Sequence, residues 1–176
     1  MQRRFFASGM VMACALDSAP LAAQPLAWDK IAGPDGRYRL KMPRGYRYLT
    51  VPAHGGTLHS YVFVLPDKLT LELLDVTFAS PQPNVPTAPA ALQSALEQIQ
   101  GGMQKSWPGS TVLEARPVTL GALTGREFVL AARGDRVVTV RVYVTPTVVY
   151  TQIAVCPAAE RSNAAIAEFM ESFRLA

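Results

Sequence analysis

The chain has 176 residues, 49% of them apolar, with 17 basic and 13 acidic side chains. That length supports one domain with a substantial core. A net charge of +4, with no long lysine–arginine run and no interleaved aromatic platform, argues against nucleic acid as a partner.

The chain begins with a three-part leader, MQRRFFASGMVMACALDSAPLAAQ. Arg3 and Arg4 make a basic start, and Phe5 to Leu16 make an apolar run of 12 residues. A bilayer span takes about 20 apolar residues. The run therefore fits the centre of a secretory signal peptide, with cleavage expected after Ala23. A buried N-terminal helix is the alternative. Residues 1–23 are expected to be removed, leaving residues 24–176 as a single exported, periplasmic domain with no integral membrane segment. Arg3-Arg4-Phe5-Phe6 resembles a twin-arginine signal, but ordinary leaders also carry paired arginines, which favours the general secretory route. Val11-Met12-Ala13-Cys14 loosely resembles a lipoprotein cleavage box, although Met12 fits it poorly. Lipid anchoring through Cys14 stays open as an alternative. Cleavage would leave Cys156 without a cysteine partner, so no internal disulfide is expected. Its place at the end of the apolar run VVYTQIAVC predicts a buried thiol.

"DGRYRLKMP" alternates Tyr38, Leu40 and Met42 against Arg37, Arg39 and Lys41, which predicts a half-buried strand between an Asp35-Gly36 turn and Pro43. "YRYLTV" is a second short extended piece, followed by the Gly-rich loop "AHGGT". "LHSYVFVL" and "LTLELLDVTF", separated by Pro66-Asp67-Lys68, predict a hairpin. "ASPQPNVPTAP" carries four prolines and reads as a loop. The spacing of Leu92, Leu96, Ile99 and Met103 predicts a helix from about Pro89 to Lys105, with Pro89 in its first turn. Four strands follow in "TVLEARPVTL", "REFVLAA", "RVVTVRVYV" and "TVVYTQIAV". Ile166, Phe169, Met170 and Phe173 predict a last helix from about Ala158 to Phe173.

The order ββββ-α-ββββ-α with hairpin-length links implies an α+β fold, a largely antiparallel sheet of about six to eight strands flanked by helices. Arg133-Gly134-Asp135 is a cell-adhesion tripeptide by spelling. Physically, Gly134-Asp135 suits a two-residue hairpin turn, which would place Val129 across from Val140. Both faces of that hairpin carry apolar side chains, so both are expected to be covered.

Three stretches, "PDGRYRLKMP", "VTLGALTGREF" and "AEFMESFRLA", resemble the opening strand, the Gly-x-x-x-Gly-Arg-Glu turn and the closing helix of PsbP-like, or Mog-type, domains, which include bacterial DcrB-like proteins. The resemblance spans about residues 28–176. It implies an α/β/α sandwich and a binding or adaptor role, and it transfers no catalytic residue. Gly121 and Gly125 are expected to adopt positive φ in a turn. Arg126 and Glu127 form either an ion pair or opposite-facing neighbours. Phe173 is expected to plug the last helix into the sheet.

Candidate chemistry is sparse. His54 and His59, with Glu72 or Asp75, could approach a metal, but no helical HxxxH or Cys-His cluster supports one. His59 and Ser60 are adjacent on a strand and point to opposite faces, which argues against a nucleophile and its base. No catalytic residue, cofactor or metal is therefore expected. The loops carrying His54, His59, Pro83 and Asn84 are the expected partner-facing rim, because function concentrates on loops. The expected partner is a protein or envelope component. The alternative is a carrier or sensor of a small apolar ligand.

Overall fold

Alternation of apolar side chains across most of the chain builds strands, and hairpin-length links between them leave antiparallel pairing as the short path. The computed structural model describes residues 25–53, 55–82, 85–86 and 88–176. The elements are β1 (Trp28–Ala32), β2 (Tyr38–Pro43), β3 (Arg47–Ala53), β4 (Gly56–Leu65), β5 (Leu69–Phe78), α1 (Pro89–Lys105), β6 (Thr111–Leu120), β7 (Leu123–Ala132), β8 (Arg136–Val144), β9 (Val148–Pro157), α2 (Ala164–Ser172) and β10 (Arg174–Leu175). Seven strands form one antiparallel sheet in the order β3-β4-β5-β9-β8-β7-β6. A smaller sheet has the order β1-β2-β10. It lies with α2 on one face of the large sheet, while α1 lies on the other.

Each face of the large sheet has its own core. On the α1 side, Leu96 is buried among Phe128, Leu130, Val138, Val140 and Val142, with Leu92, Ile99 and Met103 packed against them. On the α2 side, Ile166, Phe169, Met170 and Phe173 meet Tyr38, Leu40, Met42, Leu71, Leu73, Tyr143 and Tyr150. Each such side chain, fully buried, contributes about 1.5–3 kcal/mol. Phe173 is the hub of the second core, with its ring 5.3 Å from that of Tyr38 and 5.4 Å from that of Tyr150.

Four expectations need correction. The strand "DGRYRLKMP" belongs to the small sheet, where β2 pairs with β1 and β10. The hairpin at Arg133-Gly134-Asp135 has a three-residue loop, because Ala132 pairs with Arg136. Gly134 (φ 72°) and Asp135 (φ 54°) both take left-handed backbone to close it. Phe128 therefore opposes Val140, and Val129 opposes Thr139. A one-residue shift of this kind exchanges the face assigned to every side chain on one strand relative to the other.

The last helix starts at Ala164 rather than Ala158. Asn163 caps it by accepting a hydrogen bond from the Ala165 N–H at 2.9 Å, and Ala158–Glu160 form a separate 3-10 turn. Phe173 ends the helix in extended backbone, so its side chain turns inward from the terminus. Gly121 has the expected positive φ of 59°, but Gly125 does not. It lies within β7, where an added Cβ would fall 2.4 Å from both the Tyr143 ring and the Val142 carbonyl oxygen. The strand needs glycine there for close approach.

Candidate functional site

The β4–β5 hairpin turns through Pro66-Asp67-Lys68, with Asp67 at φ 59°, and sets Leu65 opposite Leu69. Leu69 points toward the α2 side of the sheet. The capped start of α2 stands over this corner, and the segment leading into β1 runs beside it. Between them lies an open groove of about 750 Å³. Leu26, Trp28, Leu65 and Leu69 give it apolar walls, and Lys68, Glu160, Asn163 and Glu168 give it a polar rim. Glu168 is already engaged by Lys41. Ser162 supplies a hydroxyl to the lining, and among the described residues no histidine or cysteine lines the groove. The arrangement can hold an apolar or amphipathic group, and among the described residues Ser162 has no hydrogen-bonded base.

A largely buried ion pair lies elsewhere. Glu127 on β7 accepts from Arg116 on β6 and from Arg141 on β8, and Arg141 also reaches Glu171 of α2 at 3.0 Å. Burial alone would raise the Glu127 pKa; the hydrogen bonds from both arginines outweigh it and hold the carboxyl below its ordinary value. Burial opposes the charge on Arg141, and Glu127 more than restores it, so its pKa lies above the ordinary guanidinium value. Arg126, the next residue, faces the other way and bonds to Gln100 of α1 at 2.6 Å. Arg126 and Glu127 are thus opposite-facing neighbours, each tying the sheet to a different layer.

A second polar group sits inside the α2-side core. Asp75 is 0% exposed; one carboxylate oxygen accepts from the Thr77 hydroxyl at 2.8 Å, and the other lies 3.6 Å from Arg37. The Tyr38 hydroxyl is buried close to Asp75 and Tyr61 without completing a hydrogen bond to either. Burial, reinforced by Asp75, raises the Tyr38 pKa far above the ordinary phenol value. Burial, with Tyr48 next, pushes that of Tyr61 up to about 12. These phenols stay neutral and structural at physiological pH.

Of the rim residues expected from sequence, His54, Pro83 and Asn84 lie outside the described residues, as do Ala23 and Cys14. His59 lies half-buried on β4, with Nδ1 2.8 Å from the Tyr48 hydroxyl. Ser60 faces the opposite side and donates to Glu72 at 3.1 Å. Asp75 stands across from His59, whereas Glu72 lies on the other face of the same strand. They do not converge, and among the described residues no three His, Cys, Asp or Glu side chains gather as metal ligands. Cys156 is buried, and burial raises its thiol pKa. The groove residues Leu26 and Trp28 carry no motif in the sequence, and Lys68 is legible there only as a turn residue. Trp28 was the one available signal, and its groove partners come from distant segments.

No family model matches this chain, and no curated protein matches it in sequence. Solved structures do match in fold. Cyanobacterial PsbP (CyanoP) from Synechocystis sp. PCC 6803 superimposes with a TM-score of 0.62 at 10% identity, covering 88% of this chain and 96% of that one. LpqN of Mycobacterium tuberculosis, described as involved in cell envelope biogenesis, superimposes with a TM-score of 0.50 at 18% identity, covering 85% and 91%. The fold is PsbP-like, an α+β sandwich. Among the described residues no helix is long and apolar enough to cross a membrane.

Proposed function

We propose that this chain is an exported, non-catalytic binding domain whose groove between β1, the β4–β5 turn and α2 receives a segment of a protein or other component of the cell envelope. The observation that carries the reading is the groove itself. It is open along one side, apolar within and polar at its rim, and no acid–base or nucleophilic set lines it. The leader at residues 1–23 supports export by the general secretory route. The involvement of LpqN in cell envelope biogenesis is consistent with the same compartment.

The test uses photo-crosslinking side chains placed singly at Leu65 and Ala164 on the groove, and at Glu97 on the outer side of α1. The two groove positions are expected to capture the same envelope species and Glu97 none. Capture of nothing from the groove, or of the same species from Glu97, overturns the reading. N-terminal sequencing of the cellular protein is expected to begin after Ala23; an unprocessed cytoplasmic chain overturns export. A fatty-acid label on the protein would instead place cleavage before Cys14.

The volume of the groove also supports a second reading, a carrier of a small apolar ligand, since pockets for such ligands span about 300–1,000 Å³. Native mass spectrometry of the purified protein separates the two: a co-purifying molecule of lipid or metabolite mass favours the carrier.

A further inference from the structure

The helix α1 lies over β6 and β7, and no helix covers the β3–β5 side of that face among the described residues. Three rows of side chains run across this half, half-buried toward β5, where Leu74 packs on the α1-side core, and exposed toward β3. Arg47, Val62 and Glu72 form the first; Leu49, Ser60 and Leu74 the second; Val51, Leu58 and Val76 the third. Val64 lies beyond the first row. Leu49 is 56% exposed and Val64 57%. Side chains this apolar on a sheet face normally meet another layer.

We propose that the missing layer is a second copy of this chain, docked face to face through the same strip. The argument for that occupant is charge complementarity. A two-fold axis along β4 keeps each row in place and exchanges β3 with β5. Leu49 then meets Leu74 of the partner copy, Val51 meets Val76, and Arg47 meets Glu72. Arg47 is exposed with no carboxylate in salt-bridge reach among the described residues. Glu72 is half-buried and oriented by the Ser60 hydroxyl. One rotation thus pairs both charges and every aliphatic row, as an isologous contact requires. Thickness agrees as well. Stacked sheets lie about 10 Å apart, close to the width of a helix. The second sheet therefore fits beside α1 in the layer α1 already defines. The strip is three strands wide, about 14 Å at normal strand spacing, which is small against the roughly 800 Å² per partner of a standard interface. The dimer is accordingly weak and reversible. The groove at α2 lies on the opposite face and remains open in both copies, so this inference stands apart from the proposed function.

Sedimentation equilibrium of the purified, processed protein tests it. Wild type is expected to pass from monomer to dimer as concentration rises from about 5 to about 500 μM. Leu49→Arg and Val64→Glu are each expected to weaken the dimer at least about tenfold with thermal unfolding unchanged. Arg47→Glu is expected to weaken it, and adding Glu72→Arg to restore it. A wild-type protein monomeric throughout the range overturns the proposal. So does a dimer that Val64→Glu leaves intact, since Val64 is on β4 and takes no part in pairing along the β3 edge.

Discussion

Arg141 and Glu127 stand directly opposite each other on β8 and β7, and the guanidinium meets the carboxylate at 2.5 Å while Arg116 meets it from β6. Three adjacent strands are thus joined through one carboxylate. Its folded-state pKa is depressed, so its charge stabilises the fold fully above the ordinary Glu value of about 4.3. That contribution is lost as pH falls through the lower folded-state value. Urea titrations from neutral pH downward should show stability falling in this acid range, and Glu127→Gln should flatten the fall. Glu127→Ala, which leaves the largely buried Arg141 with the exposed Glu171 carboxylate and the Met170 carbonyl as its acceptors, should cost up to about 3 kcal/mol at neutral pH.

Gly125→Ala should destabilise by about 2–3 kcal/mol, because the Val142 carbonyl in its path is backbone and cannot rotate away. Gly101→Ala and Gly102→Ala should do the opposite. Both glycines lie in α1 with nothing near an added Cβ, so each should stabilise by up to about 1 kcal/mol. Denaturant midpoints for the three variants check the contrast.

Tyr38→Phe should leave stability unchanged or raise it by up to about 1 kcal/mol, since it removes a buried hydroxyl that lacks a completed hydrogen bond. The ring contacts with Tyr150 and Phe173 are kept. A loss above about 1 kcal/mol would mean that the hydroxyl is bonded in solution.

Cys156 should resist thiol reagents in the folded protein at about pH 8 and react readily once unfolded. The side chain is buried on β9, and its thiolate is disfavoured by burial and then by Glu160. Labelling followed by mass spectrometry against denaturant should track global unfolding. Rapid labelling without denaturant would place Cys156 in a locally opening segment.

The sequence made some elements legible and hid others for identifiable reasons. The limits of α1 were readable because Pro89 marks a first turn and four apolar residues hold one helical face through Lys105. The β4–β5 hairpin was readable from its turn residues. The β7–β8 register was not. With apolar side chains on both faces, alternation cannot say which residues share a side, and Arg133 carries no turn signature that would have lengthened the loop. The strand β1 was missed because Ile31 is its one buried residue, and β10 because it has two residues. The stretch AAERSNAA is rich in helix formers, which concealed the start of α2; Asn163 was the available capping signal. The groove was illegible because its walls come from β1, the β4–β5 turn and α2, whose meeting is a matter of tertiary packing.

The small sheet joins the two ends of the described chain. The Ala176 N–H donates to the Arg37 carbonyl at 3.0 Å, and the Lys41 N–H donates to the Ser172 hydroxyl at 2.9 Å. During synthesis, strands β3 to β9 can pair as they emerge, but the core beneath α2 stays unroofed until residues 164–175 arrive. Aromatic side chains such as Tyr38 and Tyr150 then wait exposed for Phe173, the last large apolar residue before Leu175. Closing this layer joins segments far apart in the sequence, as the contact between Lys41 and Ser172 shows, so the α2-side core completes after the local hairpins have formed.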